Sequence, residues 1–587
     1  MESHSLNLLW AGRLVDELIR NGCDYFCVCP GSRSTPLTVA AARHQHARCS
    51  VCYDERGAAF RALGFARATG RAGVVITTSG TAVANLYPAV AEAAHDHVPL
   101  ILLTADRPPE LLDTGANQTM VRQDLFAPFL RWQFNLPCPT ASVRPEFVQT
   151  TVDQAIHRSG GHHAGPVQIN CMYREPFLDS GRPMTDRDKM ETGPGPEQEE
   201  PFTRYSRPSV RIEEEDLDRL AGLIDGAEKG LILVGRLFSE MQRGAIRRLI
   251  ETLNWPVYAD LSSGLRLAET GTHIMRYFDQ QLLSKTFCER FRPDVVLHLG
   301  GRVISKRVGL FFEQCRSPHY IVVDDHSDRF DPIHCVTERV ACDVAWFAEA
   351  LSQRLQPRAE GGYGAFSKRK AADVDRLIAE MIAQEENITE PFVARRVSER
   401  VPEGGALVVS NSMPVRDVDL YGCHGRDDIR VALNRGVSGI DGILATAVGF
   451  AEGTGRSTTV LIGDLALIHD LNSLTMLQRC RQPVIVVVVN NHGGGIFHFL
   501  PIAEQADVFE EYFVTPHGYS FAGLGETFGI DAVGVASKVE FDQAYTSAVE
   551  SGRSALIEVV TAGRENFLFR KRMKKAILDL LQDEAKL

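Results

Sequence analysis

Residues 461–500 read LIGDLALIHDLNSLTMLQRCRQPVIVVVVNNHGGGIFHFL, and the fold can be read outward from this stretch. A β-rich apolar run stops at Gly463-Asp464. A helical pattern follows over 471–481. A second apolar run, 484–489, is almost purely valine and isoleucine and stops at Asn490-Asn491. Two continuous apolar runs around a helical segment predict buried parallel strands joined by a crossover. A right-handed crossover puts both strand ends on one sheet edge, so Asp464 and Asn491 are expected to meet there. A carboxylate and an amide oxygen suit a hard cation such as Mg²⁺, with a ligand phosphate adding further oxygens. Glycines 493–495 let the backbone approach that ligand closely.

The chain has 587 residues, enough for about three domains. Its hydrophobic share of 44% and charged share of 24% are ordinary for a globular protein with buried cores. A formal charge of −12 argues against nucleic acid or an anionic membrane as partner. No apolar run reaches the ~20 residues of a membrane span. Residues 1–20 read as an amphipathic helix rather than a secretory signal. Cys27, Cys29, Cys49 and Cys52 cluster in strand-like runs, CVC and CSVC, without the paired CxxC spacing of a zinc site. They are expected to be buried, reduced thiols of a cytoplasmic protein.

Strand and helix patterns alternate along the whole chain. This predicts an α/β protein of three domains with mainly parallel sheets. The expected bounds are 1–180, 210–355 and 356–587, with an aperiodic Pro-, Gly-, Glu- and Arg-rich linker at 181–209. In the first domain a strand at 24–29 enters the turn Pro30-Gly31-Ser32-Arg33-Ser34-Thr35-Pro36 and a helix at 37–43. Such a turn exposes backbone N–H groups to an anion, and Arg33 favours that reading over an ordinary capped turn. Glu55 sits where a strand becomes a helix. Taken alone, it is more simply a carboxylate beside the helix dipole than a catalytic group. Ser79-Gly80-Thr81 opens a helix expected over 82–94, a strand at 100–105 leads to Asp106-Arg107, and 165–171 is expected as the last strand.

The second domain is expected to carry strands at 231–234, 257–259, 295–299 and 320–324. Its turn Gly300-Gly301-Arg302 resembles a nucleotide-binding turn but lacks the full GxGxxG, so a nucleotide is not expected there. Lys306 and Arg307 read either as a solvated pair or as an anion contact. The third domain is entered by a helix at 367–384 and carries a strand at 406–409, then Ser412 and Arg416, then Arg435 within 434–442. No sequence repeat relates the first and third domains. Arg33, Arg107, Arg416 and Arg435 each lie at a strand-to-loop boundary, where open α/β sheets bind ligands. Singly each reads as a surface residue; together they suit a substrate with more than one carboxylate.

With these residues in hand, a family resemblance emerges. GD at 463–464 followed by Asn490-Asn491 resembles the thiamine-diphosphate binding motif, and YDERGAAF at 53–60 resembles the segment carrying that superfamily's glutamate. PGSRSTPLT (30–38), TTSGTAVANLYPAVAEA (77–93), LTADRPPEL (103–111), NRGVSGIDG (434–442) and GDLALIHDLNSL (463–474) resemble a narrower group, the menaquinone-pathway 2-succinyl-5-enolpyruvyl-6-hydroxy-3-cyclohexene-1-carboxylate synthase family. The resemblance runs end to end and is least distinctive in the middle domain. Leu465 stands where most of the superfamily has glycine, a departure the menaquinone enzymes commonly share. The loop His492-Gly493-Gly494-Gly495 also differs from the usual one.

The resemblance implies a thiamine-diphosphate-binding fold, with 1–180 taking the cofactor's pyrimidine and 356–587 its diphosphate and Mg²⁺ or Mn²⁺. It implies Glu55 as the catalytic residue, hydrogen-bonded to the aminopyrimidine. Cofactor contacts would be Glu55, Ser79, Gly80, Thr81, Ile440, Gly463, Asp464, Leu465, Asn491, Gly493 and Ile496, with Ile440 propping the bent cofactor. The metal ligands would be Asp464, Asn491 and the carbonyl of Gly493. Ser32, Arg33, Arg107, Gln118, Lys306, Arg307, Ser412, Arg416 and Arg435 would line the substrate pocket, with Ile496, Phe497 and Leu500 as its apolar wall. The implied substrates are 2-oxoglutarate and isochorismate, both dianionic. The implied reaction, that of a transferase, is decarboxylation of 2-oxoglutarate and addition of the resulting carbanion to isochorismate. The superfamily places its cofactor between subunits, which implies a homodimer or homotetramer. The alternatives are another thiamine-diphosphate enzyme of the acetolactate synthase or 2-oxoacid decarboxylase type, and a non-catalytic homologue. Retention of Glu55 with both metal ligands weighs against the latter.

Overall fold

Valine and isoleucine fill the central strands because both faces of each strand are covered, and the burial patterns show it. Val484–Asn490 is buried at every position, as are Gly73–Thr77 and Leu100–Asp106. These strands belong to a computed structural model that describes residues 3–120, 124–178, 199–268, 273–359 and 361–582. Most of the expected linker, residues 181–198, lies outside the described residues.

The first sheet is built from β1 (Tyr25–Val28), β2 (Arg48–Val51), β3 (Gly73–Thr77), β4 (Leu100–Asp106), β5 (Trp132–Leu136) and β6 (Pro166–Met172), in the order β2-β1-β3-β4-β6-β5. The second comprises β7 (Gly230–Val234), β8 (Val257–Ala259), β9 (Val295–Leu299), β10 (His319–Asp324) and β11 (Glu338–Ala341), in the order β11-β10-β9-β7-β8. The third comprises β12 (Ala406–Val409), β13 (Arg430–Ala432), β14 (Thr458–Gly463), β15 (Val484–Asn490), β16 (Asp531–Val535) and β17 (Ala555–Val560), in the order β13-β12-β14-β15-β17-β16. Every pairing among the described strands is parallel. Each sheet is doubly wound, and its strand order reverses between its first and third strands. The first and third sheets share one strand order throughout, although no repeat is legible in their sequences.

The chain divides into two compact units. One comprises Met1–Pro208, Asn434–Gly455 and His469–Gln482; the other comprises Ser209–Leu433, Arg456–Ile468 and Pro483–Leu587. In the first unit the helix Ile443–Thr454 lies against the helix Glu55–Thr69 at backbone contact distance. A Cβ at Gly64 would fall 2.0 Å from the Thr446 carbonyl oxygen, and one at Gly449 would fall 1.9 Å from that of Arg61. Only glycine permits this approach. Buried Arg61 then bonds Glu452 through Nη2 at 2.8 Å and the Tyr25 hydroxyl at 2.8 Å, tying β1 to both helices. In the second unit, apolar residues of β12, β14, β15 and β17 pack with the helices Gly362–Gln384, Glu390–Arg400 and Gly563–Gln582 into one core.

Several expectations need correction. The helix expected over 82–94 is two helices, Thr81–Ala84 and Tyr87–His95. Pro88 in the first turn of the second has no N–H to donate backward, so the helix cannot run through. The pattern at 471–481 forms a 3-10 helix, Leu471–Arg479, preceded by a short α-helix, Asp464–His469. The last strand of the first domain is β6, as expected, with β5 beside it at the sheet edge. Cys27, Cys29 and Cys52 are buried as expected, whereas Cys49 is exposed on edge strand β2; all four are free thiols. The turn at 300–302 is packed against the loop after β7. The Gly301 N–H donates to the Arg236 carbonyl at 3.0 Å, and a Cβ at Gly235 would fall 1.8 Å from the Gly301 oxygen.

Candidate active site

The register of the third sheet aligns Gly463, at the end of β14, with Val489 of β15. Asp464 and Asn491 therefore leave neighbouring strands at the same edge, as their spacing predicts. They converge on one donor. The Gly493 N–H lies 2.9 Å from Asp464 Oδ2 and 3.2 Å from Asn491 Oδ1. Gly493 holds φ +149, and a Cβ there would meet the Val514 carbonyl oxygen at 2.3 Å, so glycine is required. Asp464 is buried. Its Oδ1 accepts from the Leu465 N–H at 2.6 Å, and its Oδ2 lies 3.2 Å from His517 Nε2. Burial pushes its carboxyl above the usual range, against the pull of the Leu465 and Gly493 N–H groups and of His517. A Cβ at Gly463 would meet nothing within 4 Å, so the space beside Asp464 is open. Buried carboxylate, amide and carbonyl oxygens beside open space fit a hard divalent cation bound to a phosphate.

Asn490, the other half of the asparagine pair, has a different task. Its Nδ2 donates to Glu558 Oε1 at 2.7 Å and to the Tyr519 carbonyl at 3.0 Å, and its Oδ1 accepts from the His492 N–H at 3.1 Å. It shapes the loop. Ile496 and Phe497 follow on the 3-10 turn Gly495–Phe499, half-buried, with Phe497 edge-on to Phe513; Leu500 just beyond is exposed. Ser412, with φ +69, immediately precedes the helix Met413–Tyr421 that follows β12, without a side-chain cap bond to it, and the Arg416 guanidinium folds back onto the Ser412 carbonyl. Lys306 and Arg307 open the helix Lys306–Cys315. Lys306 is exposed, while Arg307 is paired with Asp279 through its carboxylate and, at 2.7 Å, its carbonyl.

In the first unit, Glu55 is the first residue of the helix Glu55–Thr69, and Asp54 rather than Glu55 caps it by accepting from the Arg56 and Gly57 N–H groups. This leaves Glu55, half-exposed, outside the capping role. Asn85, in the break between the two short helices, donates to Glu55 Oε2 at 3.1 Å. Ser79 and Gly80 follow β3, and exposed Thr81 begins the next helix. Arg107 Nη1 donates to Ser79 Oγ, and Gln118 Nε2 donates to the Ser79 carbonyl at 3.0 Å. Gln118 also packs on Gly80, where a Cβ would meet its Cγ at 2.8 Å. Arg33 is buried, donates to the Tyr173 carbonyl and Glu175 Oε1 at 3.0 Å each, and covers the Phe177 ring. Burial, then the neighbouring Arg107 charge, lower its pKa. Its buried Nε has no hydrogen-bond partner among the described residues. Ser32 is exposed and its carbonyl accepts from Thr35. Arg33 and Arg107 thus lie near each other, with Arg33 already paired to Glu175.

Arg435 and Ile440, both half-buried, lie on a loop pinned at both ends by carboxylates. Buried Glu92 accepts from the Gly436 and Val437 N–H groups at 2.8 Å each, and Asp470 accepts from those of Leu444 and Ala445 at 2.6 and 3.0 Å. Glu92, Asn85, His517 and Glu390, which bonds Asn491, carry no local pattern that sequence reading could use. Glu92 and Asn85 do fall inside the TTSGTAVANLYPAVAEA segment, and Asp470 inside GDLALIHDLNSL.

Three family models match the chain in order: the N-terminal TPP binding domain of thiamine pyrophosphate enzymes over residues 10–126, the middle domain over 195–409 and the C-terminal TPP binding domain over 422–559. Among curated proteins, the 2-succinyl-5-enolpyruvyl-6-hydroxy-3-cyclohexene-1-carboxylate synthase of Rubrobacter xylanophilus is 47% identical over 567 residues, covering 97% of this chain and 98% of its own. The synthases of the same name from Salinibacter ruber (43% identical, 97% of this chain, 96% of its own) and Chlorobium phaeobacteroides (40%, 99% of each) are similar over the same extent. The chain belongs to the 2-succinyl-5-enolpyruvyl-6-hydroxy-3-cyclohexene-1-carboxylate synthase family of thiamine-pyrophosphate enzymes. Among the described residues, no helix is long and apolar enough to cross a membrane.

Proposed function

We propose that the chain is a thiamine-diphosphate-dependent transferase of menaquinone biosynthesis. It decarboxylates 2-oxoglutarate and adds the remaining four-carbon unit to isochorismate, giving 2-succinyl-5-enolpyruvyl-6-hydroxy-3-cyclohexene-1-carboxylate. The observation that carries this reading is the convergence of Asp464 and Asn491 on Gly493, in a chain whose near full-length relatives bear that product's name.

When bound, thiamine diphosphate supplies the nucleophilic carbon and electron sink that loss of CO₂ and carbon–carbon bond formation both need. Asp464, Asn491 and the Gly493 carbonyl hold Mg²⁺ or Mn²⁺, with Gly463 and Leu465 bordering the diphosphate. The Gly493 carbonyl accepts from the Gly495 N–H at 2.9 Å, and its second lone pair serves the cation. Glu55 holds and passes the proton of the cofactor's pyrimidine ring, its carboxylate oriented by Asn85. Ser79, Gly80, Thr81, Ile440 and Ile496 complete the cofactor contacts.

Ser32, Arg33, Arg107, Gln118, Lys306, Arg307, Ser412, Arg416 and Arg435 bind the carboxylates of the two substrates, beside an apolar wall of Ile496, Phe497 and Leu500. So many cations match two dianions better than the monoanionic substrates of an acetolactate synthase or a simple decarboxylase. Self-association as a homodimer or homotetramer belongs to this reading, with the cofactor between subunits. So do a cytoplasmic location, consistent with the free thiols, and a division into 1–180 (pyrimidine), 210–355 (central) and 356–587 (diphosphate and metal). The test is product analysis by mass spectrometry with each substrate alone and with both. The expected result is the succinylated product only when 2-oxoglutarate and isochorismate are present together. Consumption of pyruvate with isochorismate untouched would overturn the assignment.

A further inference from the structure

A side-chain amide is a good metal ligand only when its oxygen, not its nitrogen, faces the cation. Asn491 Oδ1 and Nδ2 are nearly the same shape, so a neighbour must decide which way the amide turns. In this structure that neighbour is buried Glu390. Asn491 Nδ2 donates to Glu390 Oε1 at 2.6 Å, which turns Oδ1 toward the Gly493 N–H that Asp464 also holds. Glu390 is itself fixed from three sides. It begins the helix Glu390–Arg400, whose cap is Thr389. Its own N–H donates to Asn566 Oδ1 at 2.8 Å, and its Oε2 accepts from Arg570. Asn566 and Arg570 stand one turn apart on the helix Gly563–Gln582. Arg570 also grips both oxygens of Asp417, Nε to Oδ1 at 3.2 Å and Nη2 to Oδ2 at 2.6 Å. Asp417 follows Arg416 on the helix Met413–Tyr421. All four side chains of this chain of contacts, Glu390, Asn566, Arg570 and Asp417, are buried.

The geometry points to Glu390 as the positioning residue of the metal site. Held by Asn566 and Arg570, it keeps the Asn491 amide oxygen turned toward the cation, and through Arg570 it links that ligand to the helix carrying Ser412 and Arg416. This rests on the reading of Asp464, Asn491 and Gly493 as cation ligands. A metal ligand commonly owes its orientation to such an outer partner.

The chemistry of Glu390→Gln makes the role testable. The buried guanidinium of Arg570 takes the single oxygen of the new amide, because a hydrogen bond to a charged donor is the stronger one. The amide nitrogen then faces Asn491 and turns it round, putting Nδ2 toward the cation. Asn491→Asp has oxygen on both sides and is indifferent to that turn. Beside Glu390, however, it sets two carboxylates against each other, which the glutamine relieves.

Mg²⁺ is titrated calorimetrically into the dialysed full chain at saturating thiamine diphosphate, with circular dichroism as a check of folding. Glu390→Gln is expected to weaken Mg²⁺ binding at least ~10-fold, within the range typical for outer partners of metal ligands. The double variant E390Q/N491D is expected to bind more tightly than either single variant. A purely structural role predicts additive losses, with the double variant weakest. That result, or wild-type affinity in E390Q, overturns the inference. Should E390Q not fold, Glu390→Asp keeps the charge toward Arg570 while withdrawing the acceptor from Asn491 by one methylene, and it is expected to weaken Mg²⁺ in the same direction; unchanged affinity overturns the role. If the wild type binds no Mg²⁺ beside thiamine diphosphate, the ligand assignment itself fails; if the wild type binds and the variants match it, only the positioning role fails.

Discussion

At the scale of residues, the decisive feature is one backbone N–H shared by two side chains. Asp464 and Asn491 were legible because each ends a strand whose composition announces it, and parallel strands bring their ends together. Glu390, Asn85 and Glu92 were not legible as site residues. Each meets its partner far along the chain, and nothing in the local letters marks a carboxylate or amide that will do so. Lys306 and Arg307 lie in a weakly patterned segment where no helix was expected, yet Ser305 caps a helix there by accepting from the Val308 N–H. Gly493 is the residue on which the proposed cation site turns. Gly493→Ala places a Cβ 2.3 Å from the Val514 carbonyl oxygen at φ +149. A melting curve should show destabilisation on the order of 1–3 kcal/mol, and calorimetry should show weakened Mg²⁺ binding. Retention of both would mean that this loop relaxes freely and does not set the ligand geometry.

Strands were legible where apolar residues run unbroken. β14 and β15 are continuous apolar runs, whereas β5 (WQFNL) is mostly half-buried and β16 (DAVGV) mostly exposed, so neither carries the signal of a buried strand. The same limit hid the break at Asn85-Leu86, since the apolar pattern over 82–94 continues across it. The helix Ile443–Thr454 shows how one element is held. Its first turn donates to Asp470, a residue of the stretch that defined the fold. Burial raises the Asp470 carboxyl to about 6, against the N–H and hydroxyl donors around it. An unfolded aspartate titrates near ~3.9. The folded chain therefore holds this proton more tightly, so the contribution is complete below about pH 4 and is lost as pH rises to about 6. The loss is on the order of 3 kcal/mol. Asp470→Asn cannot titrate. The melting-temperature advantage of the wild type over this variant should shrink between pH 4 and 6 and then stay level. A gap that does not change with pH would contradict the assignment.

Over the whole molecule, three parallel sheets share a doubly wound plan, and the first and third repeat one strand order without a repeat in sequence. Topology depends on where apolar runs and turns fall, which many sequences satisfy, so the duplication shows in the strand order and not in the letters. The middle sheet keeps the plan, and there the backbone of Gly235 and Gly301 meets at contact distance. The other two place the candidate site residues at the carboxyl ends of their strands: Arg33, Ser79 and Arg107 in the first, Ser412, Asp464 and Asn491 in the third. In the proposed reaction Glu55 moves the proton of a cofactor whose diphosphate is held through Asp464 and Asn491. Glu55→Gln tests it most directly, with turnover of 2-oxoglutarate and isochorismate measured alongside thiamine-diphosphate binding in the presence of Mg²⁺. The expected kcat is at least ~100-fold lower, the usual weight of a proton-transfer group, with cofactor binding retained. Unchanged turnover in that variant would contradict it.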